Sequence, residues 1–289
     1  MESVLKGSAA LVTGASRGLG LHIARAFVLS GASVWLTARS HHDLLAVKDA
    51  LASECTLPDQ CIEVTAIDLG DRGAPEGLFS EVHARWPHWN ILVNNAAVQG
   101  PIGPIWTNQV EDWEQTVRVD LFAPVALCRL AAPVLGSSRR GKIINISGGG
   151  ATSPRVNFSA YASAKAALVR FSETLAEETR TLGVDVNCVA PGAMNGAMTR
   201  EVVSAGPDRG GVEYEKAVKQ LQGEGSSPER AAALCVFLAS QDSDGITGKL
   251  ISAAWDPWER LAQFTQKLAE TDVYTLRRIV PADRGFDLT

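Results

Sequence analysis

No basic block interrupts this chain of 289 residues, and its formal net charge is −5 at pH 7. Nucleic acid is therefore not an expected partner, because binding a phosphate backbone needs clustered Lys and Arg. No apolar run is long enough to span a bilayer; the richest stretches are broken by Arg, Asp or Gly. The opening MESVLKGSAALVTG lacks the basic and long apolar regions of a secretory signal. Cysteine is scarce and odd in number: Cys55, Cys61, Cys128, Cys188 and Cys235 contain no C-x-x-C pair. Free thiols in a reducing cytoplasm are expected. The five histidines show no H-x-x-x-H or H-E-x-x-H spacing, so no metal site is expected. Neither an interdomain linker nor a repeat at solenoid periods is visible.

What is present is an ordinary globular composition, 46% hydrophobic and 20% charged. Short apolar runs alternate with longer helical ones. Residues 9–13, 33–37, 62–67, 91–94, 142–147, 184–189 and 249–252 read as seven strands. Amphipathic stretches near 18–30, 42–53, 75–86, 109–135, 158–182 and 229–240 read as helices between them. That alternation implies βαβ units, a parallel sheet and an α/β fold. Residues 194–227, rich in Gly, Ser and Glu, form a long connection of the kind that often serves as a lid.

Between the first strand and first helix lies Thr13-Gly14-Ala15-Ser16-Arg17-Gly18-Leu19-Gly20. Glycines let a backbone turn sharply and approach a pyrophosphate, and a helix N-terminus adds unpaired N–H groups. Alone this is weak evidence; between a buried strand and a helix it points to a dinucleotide. With Asn94-Asn95-Ala96-Ala97, Tyr161-x-x-x-Lys165 and Pro191-Gly192 in this order and spacing, the chain resembles the short-chain dehydrogenase/reductase family over about residues 5–253. The resemblance implies a Rossmann-type three-layer sandwich with a seven-stranded parallel sheet, a nicotinamide cofactor and a dimer or tetramer. One NAD(P)-binding domain would span 1–255, with a C-terminal extension over 256–289 on the same domain or a neighbouring subunit. Carried over residue by residue, Gly14, Ser16, Arg17, Gly18, Leu19 and Gly20 would hold the pyrophosphate. Asp68 and Leu69 would flank the adenine, and Asn95, Ala96, Ala97, Pro191, Gly192 and Met194 would complete the cofactor site. Ala97 stands where the family usually has Gly.

An acid at the end of the second strand would bind the ribose 2′-hydroxyl and repel a 2′-phosphate. Here that position is Ala38, followed by Arg39, and Arg17 lies in the glycine loop. Two guanidinium groups can clamp a 2′-phosphate, so NADP(H) is preferred over NAD(H).

Tyr161 and Lys165 are four residues apart on one helix face. A nearby ammonium favours phenolate and is expected to lower the Tyr161 pKa. Tyr161 is then the acid/base toward a carbonyl, with Lys165 on the nicotinamide ribose as the resemblance implies. The remaining family positions depart from the pattern. The serine thirteen residues before the tyrosine is Gly148, with Ser147 one residue earlier; the asparagine is Asp120; the threonine after Pro191-Gly192 is Gly196, which Asn195 or Thr199 could replace. Ser147 or a group on the substrate is left to polarise the carbonyl. Asp120 would partly offset the effect of Lys165 on Tyr161.

The expected function is an NADPH-dependent oxidoreductase that reduces a small-molecule carbonyl or oxidises a secondary alcohol, cytoplasmic and a homodimer or homotetramer. The alternatives are a dehydratase or epimerase-like enzyme on the same fold, or a cofactor-binding protein with little turnover. In the tail, Trp255, Trp258 and Tyr274 are candidates to pack on residues 194–227 or a neighbour. Arg277, Arg278 and Arg284 are candidates for an anionic substrate, against ordinary surface ion pairing.

Overall fold

The computed structural model describes residues 3–137 and 140–286. Seven strands form one sheet: β1 (Ala9–Thr13), β2 (Ser33–Ala38), β3 (Ile62–Ala66), β4 (Ile91–Asn94), β5 (Gly141–Ile146), β6 (Val184–Ala190) and β7 (Lys249–Ser252). All pairings are parallel, in the order β3-β2-β1-β4-β5-β6-β7. Each strand lies within a residue or so of its sequence expectation, because buried parallel strands are apolar on both faces and bounded by turn residues. The order reverses between β1 and β4, which opens a crevice at their carboxyl ends, where ligands bind in such sheets.

The helices are α1 (Gly18–Leu29), α2 (His41–Ala52), α3 (Ala74–Arg85), α4 (Val110–Val117), α5 (Ala123–Leu135), α6 (Ser159–Glu178), α7 (Ala197–Gly210), α8 (Val212–Lys219), α9 (Pro228–Ala239) and α10 (Thr265–Ala269). Two apolar layers sandwich the sheet. Phe27, Ile23 and Val28 of α1 pack with Leu234 and Leu238 of α9 on one face. Leu78 of α3, Leu127 and Ala131 of α5 and Leu175 of α6 pack on the other. A buried polar chain runs through that second layer. Asn94 Nδ2 donates to Asn145 Oδ1 at 2.8 Å, and Asn145 Nδ2 donates to Ser172 Oγ at 2.7 Å. Buried amides carry a heavy desolvation cost unless paired, so this chain fixes α6 against β4 and β5 in one register.

Two expectations are corrected here. The helix expected over 109–135 is interrupted by a π-helical turn, Arg118–Phe122. Pro124 has no N–H to give the carbonyl four residues back, and its ring would crowd that carbonyl, so the turn widens. Residues 194–227 are not an open loop but carry α7 and α8, with a break at Gly206 (φ 79°, ψ 170°) before Pro207.

Residues of the tail contact α1, α9, β7 and α6 of the same chain. Trp258, Leu261 and Leu268 are buried in the α1–α9 layer. The main chain then follows the free edge of β7: Leu250 N donates to Tyr274 O at 2.8 Å, and Lys249 Nζ donates to Thr271 O and Val273 O at 2.9 and 3.0 Å. Leu276 N donates to Glu173 Oε1 of α6 at 2.6 Å. Trp258 therefore packs on α9 rather than on α7 and α8, and Trp255 is 85% exposed. Arg277 is paired with Asp272 (2.9 Å) and Asp283 (2.7 Å), the surface ion pairing rather than a substrate contact.

Candidate active site

The glycine loop is stapled to the end of β4. Thr13 Oγ1 accepts from Asn95 N (2.9 Å) and Ala96 N (3.0 Å), and Asn95 Nδ2 donates to Thr13 O (2.9 Å) and Gly14 O (3.1 Å). Asn95 thus shapes the loop from within. Gly14 takes φ +66°, and a Cβ there would stand 2.8 Å from Ala96 Cα. A Cβ on Gly20 would stand 2.3 Å from Gly14 O, so the first helical turn can approach the loop only without a side chain. A Cβ on Gly18 meets nothing within 4 Å, which leaves open space before α1. The N-cap of α1 is Arg17, which makes no side-chain capping bond. The helix's first N–H groups therefore receive no side-chain oxygen from the cap. Ser16 and Leu19 belong to the same turn, Leu19 with its side chain in the core.

Arg17 and Arg39 are exposed, and neither guanidinium has an ion-pair or hydrogen-bond partner among the described residues. Asp68 Oδ1 accepts from Gly70 N at 2.9 Å, so its carboxylate shapes the turn after β3; Leu69 beside it is buried. Gly192 takes φ +89°, and a Cβ there would meet Ser226 Oγ at 2.5 Å and Ala254 Cβ at 3.2 Å. It locks the start of the α7–α8 segment against its end. Met194 O accepts from Thr199 Oγ1 at 2.7 Å, so Thr199 is occupied in the first turn of α7, while Asn195 is exposed.

Tyr161 and Lys165 come together at the end of β5. Lys165 Nζ donates to Ile146 O at 3.2 Å and lies 3.4 Å from Asp120 Oδ2. Asp120 is wholly buried on the π-turn; its Oδ1 accepts from Val98 N at 2.8 Å, while Oδ2 lies in ion-pair range of Lys165 and has no hydrogen bond among the described residues. One carboxylate thereby ties the segment after Asn95-Ala96-Ala97 to the lysine. Burial pulls the Lys165 ammonium down, but Asp120 and Tyr161 outweigh it and its pKa is raised, so the lysine stays charged. Burial pushes the Asp120 carboxyl up, beyond what Lys165 and the Val98 N–H draw it down.

The expected lowering of the Tyr161 pKa is corrected. Burial raises it, Lys165 and Arg155 pull it down, Asp120 adds to the rise, and the balance is upward. The opposing contribution expected from Asp120 is present. Beside the phenol stands Gly148: a Cβ there would lie 2.2 Å from Tyr161 Oη and 2.9 Å from two ring carbons. The ring fills space that any side chain at 148 would need. Ser147 Oγ is buried and has no hydrogen-bond partner among the described residues, Tyr161 included.

Arg155, between β5 and α6, carries no role in the sequence reading. Its guanidinium lies 3.9 Å from the Phe158 ring centroid and 5.5 Å from that of Tyr161. Its signal in the sequence was a lone basic residue close after three glycines. Spacing cannot show that a residue in a loop bends back over the tyrosine. Above it, Ile102, Phe158, Val202 and Ala217 form a small apolar cluster that seats α7 and α8 over the site.

A profile of the short chain dehydrogenase family matches residues 8–206. The chain is 31% identical to rabbit (Oryctolagus cuniculus) L-fucose dehydrogenase over 82% of its length and 80% of that protein's. It is 31% identical to the 3-oxoacyl-(acyl-carrier-protein) reductase of Escherichia coli K12, over 85% of this chain and 95% of that one. Among solved structures, a metagenomic short-chain oxidoreductase in complex with NADP superposes with a TM-score of 0.69 at 31% identity, covering 86% of this chain and 98% of the other. The glycine loop, the Tyr161–Lys165 pair and these matches agree, and the chain belongs to the short-chain dehydrogenase/reductase family.

Proposed function

We propose that this protein is an NADPH-dependent oxidoreductase that reduces a carbonyl, or in reverse oxidises a secondary alcohol, with Tyr161 as acid/base. The observation that carries the reading is the buried Tyr161–Lys165 pair on α6 at the carboxyl end of β5, beside the glycine loop's staple to β4. Gly14, Ser16, Arg17, Gly18, Leu19 and Gly20 would hold the pyrophosphate, and Asp68 and Leu69 the adenine. Asn95, Ala96, Ala97, Pro191, Gly192 and Met194 would line the rest of the cofactor site. The preference for NADP(H) rests on Arg17 and Arg39, whose guanidinium groups have no partner among the described residues, and on the absence of an acid at Ala38. A relative crystallised with NADP supports the same choice.

A bound nicotinamide cofactor would supply the hydride for the carbonyl carbon. Tyr161 gives its phenolic proton to the carbonyl oxygen, and solvent restores that proton, so carbonyl, hydride and proton sum to the alcohol. A phenol with a raised pKa is fully protonated at neutral pH, which suits the reducing direction. Lys165 would hold the nicotinamide ribose, its Nζ fixed by Ile146 O and by Asp120. Ser147, or a group of the substrate, polarises the carbonyl. The five free thiols support a reducing compartment such as the cytoplasm. No helix among the described residues is long and apolar enough to cross a membrane. A homodimer or homotetramer is the assembly that the family resemblance implies.

The test is NADPH oxidation over a panel of ketones, quinones and keto-sugars. Tyr161→Phe is expected to lose about 10²–10⁴-fold in turnover with NADPH affinity retained. Turnover that survives Tyr161→Phe would sink the mechanism. Ser147→Ala with unchanged rates would remove Ser147 from it.

A further inference from the structure

The guanidinium of Arg155 is held over the glycine run rather than in solvent. The Cβ missing from Gly149 would lie 3.8 Å from both its Nε and its Cδ, and its side chain is only 16% exposed. Its guanidinium carbon lies 3.9 Å from the Phe158 ring centroid and 5.5 Å from that of Tyr161. Only one of its nitrogens is engaged by a side chain: Nε donates to Glu213 Oε2 of α8 at 3.0 Å. Nη1 and Nη2 donate to nothing among the described residues. Glu213 is shared, because its Oε1 also takes Lys216 Nζ at 2.7 Å. Two cations thus meet one carboxylate, and the cluster keeps a positive surplus next to the proton-donating phenol.

A guanidinium has five N–H donors in a rigid fork, and the idle pair matches the two oxygens of a carboxylate. A second idle donor lies in the segment after the Ala96-Ala97 turn. Gln99 is 4% exposed, and its Nε2 has no partner among the described residues. It follows Val98, whose N–H is held by Asp120. Buried donors left unpaired carry a desolvation cost that a bound oxygen anion removes. Gly148 and Gly149 place no side chain between Arg155 and Tyr161: the Tyr161 ring lies against Gly148 and Arg155 against Gly149.

We propose that Arg155 is the specificity-determining residue of this site and binds the carboxylate of an oxo-acid substrate, or of the hydroxy acid in reverse. The proposal rests on the reading of Tyr161 as the acid of a carbonyl reductase. A mere latch between the β5–α6 segment and α8 would not distinguish an acid from its ester.

The experiment compares 3-oxobutanoate and 4-oxopentanoate with their methyl esters, on the full chain with NADPH. Wild type is expected to prefer the acids. Arg155→Gln should lower kcat/KM on the acids about 10- to 100-fold, mainly through KM, and leave the esters within about twofold. Arg155→Lys, which keeps a cation for Glu213 but loses the fork, should fall between. An acid-to-ester ratio equal in wild type and Arg155→Gln overturns the proposal. If wild type reduces none of the four compounds, the reductase reading fails on this panel, and calorimetry on the NADP⁺-loaded protein decides the Arg155 proposal. Binding of the acids that persists in Tyr161→Phe and is lost in Arg155→Gln sustains it. No binding, or equal binding with and without Arg155, overturns it.

Discussion

Gly148 and Tyr161 compete for one volume. A serine at 148 needs its Cβ where the phenol oxygen stands, at 2.2 Å. Contacts that short do not persist, so the ring must move by about 1 Å or more, and overpacking of this kind costs about 1–3 kcal/mol. Gly148→Ser is therefore expected to lower both the melting temperature and NADPH turnover; a faster enzyme would show that the ring swings aside freely. Asp120 governs the same phenol through charge. Its carboxylate raises the Tyr161 pKa, and burial raises it further. Reduction, which uses the protonated phenol, should stay level through neutral pH and fall only above the ordinary phenol range near 10. Asp120→Asn removes one raising contribution, so the alkaline limb of the pH–rate profile should move to lower pH. A limb that stays put or moves up would mean that Lys165 has lost its proton as well. That Tyr161 and Lys165 share one helix face was legible from their spacing. The direction of the Tyr161 shift was not, because burial is a property of the packed molecule.

The helices bear out periodicity and show its limit. Apolar residues at helical spacing located α1, α6 and α9, and Ser40 and Ser227 cap α2 and α9 through their side chains. The long helix expected over 109–135 concealed the π-turn that carries Asp120, and the signal missed was Pro124. Residues 194–227 hid two short helices behind a composition of Gly, Ser and Glu. These helices are fastened by polar contacts at their join. Arg209 Nε donates to Ile102 O at 2.8 Å, and Asn157 Nδ2 donates to Arg209 O at 2.9 Å from an asparagine at φ +69°. Arg209→Ala removes the first contact and should loosen the segment at its Gly206 break. Limited proteolysis there is expected to speed up several-fold and KM for the substrate to rise, with little change in melting temperature. Unchanged cleavage would show that the apolar contacts of Val202 and Ala217 hold the segment alone.

At the scale of the molecule, the tail belongs to the fold. It buries Trp258, Leu261 and Leu268, at about 1.5–3 kcal/mol each. Together these are comparable with the whole stability of a domain, about 5–15 kcal/mol. It also lies along β7, an edge strand whose unpaired groups would otherwise invite other chains. A chain ending at Ala254 is expected to aggregate or melt far below the full chain, measured by size exclusion and thermal denaturation. Retained stability would place the tail outside the core.

The sequence by itself determined the parallel α/β sheet, the glycine loop and the Tyr161–Lys165 pair. These depend on local periodicity and on short fixed spacings that one segment of chain carries within itself. Only the tertiary structure decided that the tail closes the sheet edge, that Asp120 couples Val98 to Lys165, and that Arg155 lies beside the phenol. Each of these joins residues far apart along the chain or fixes how a loop bends. Packing and desolvation settle such contacts, and neither is written in the spacing of residues.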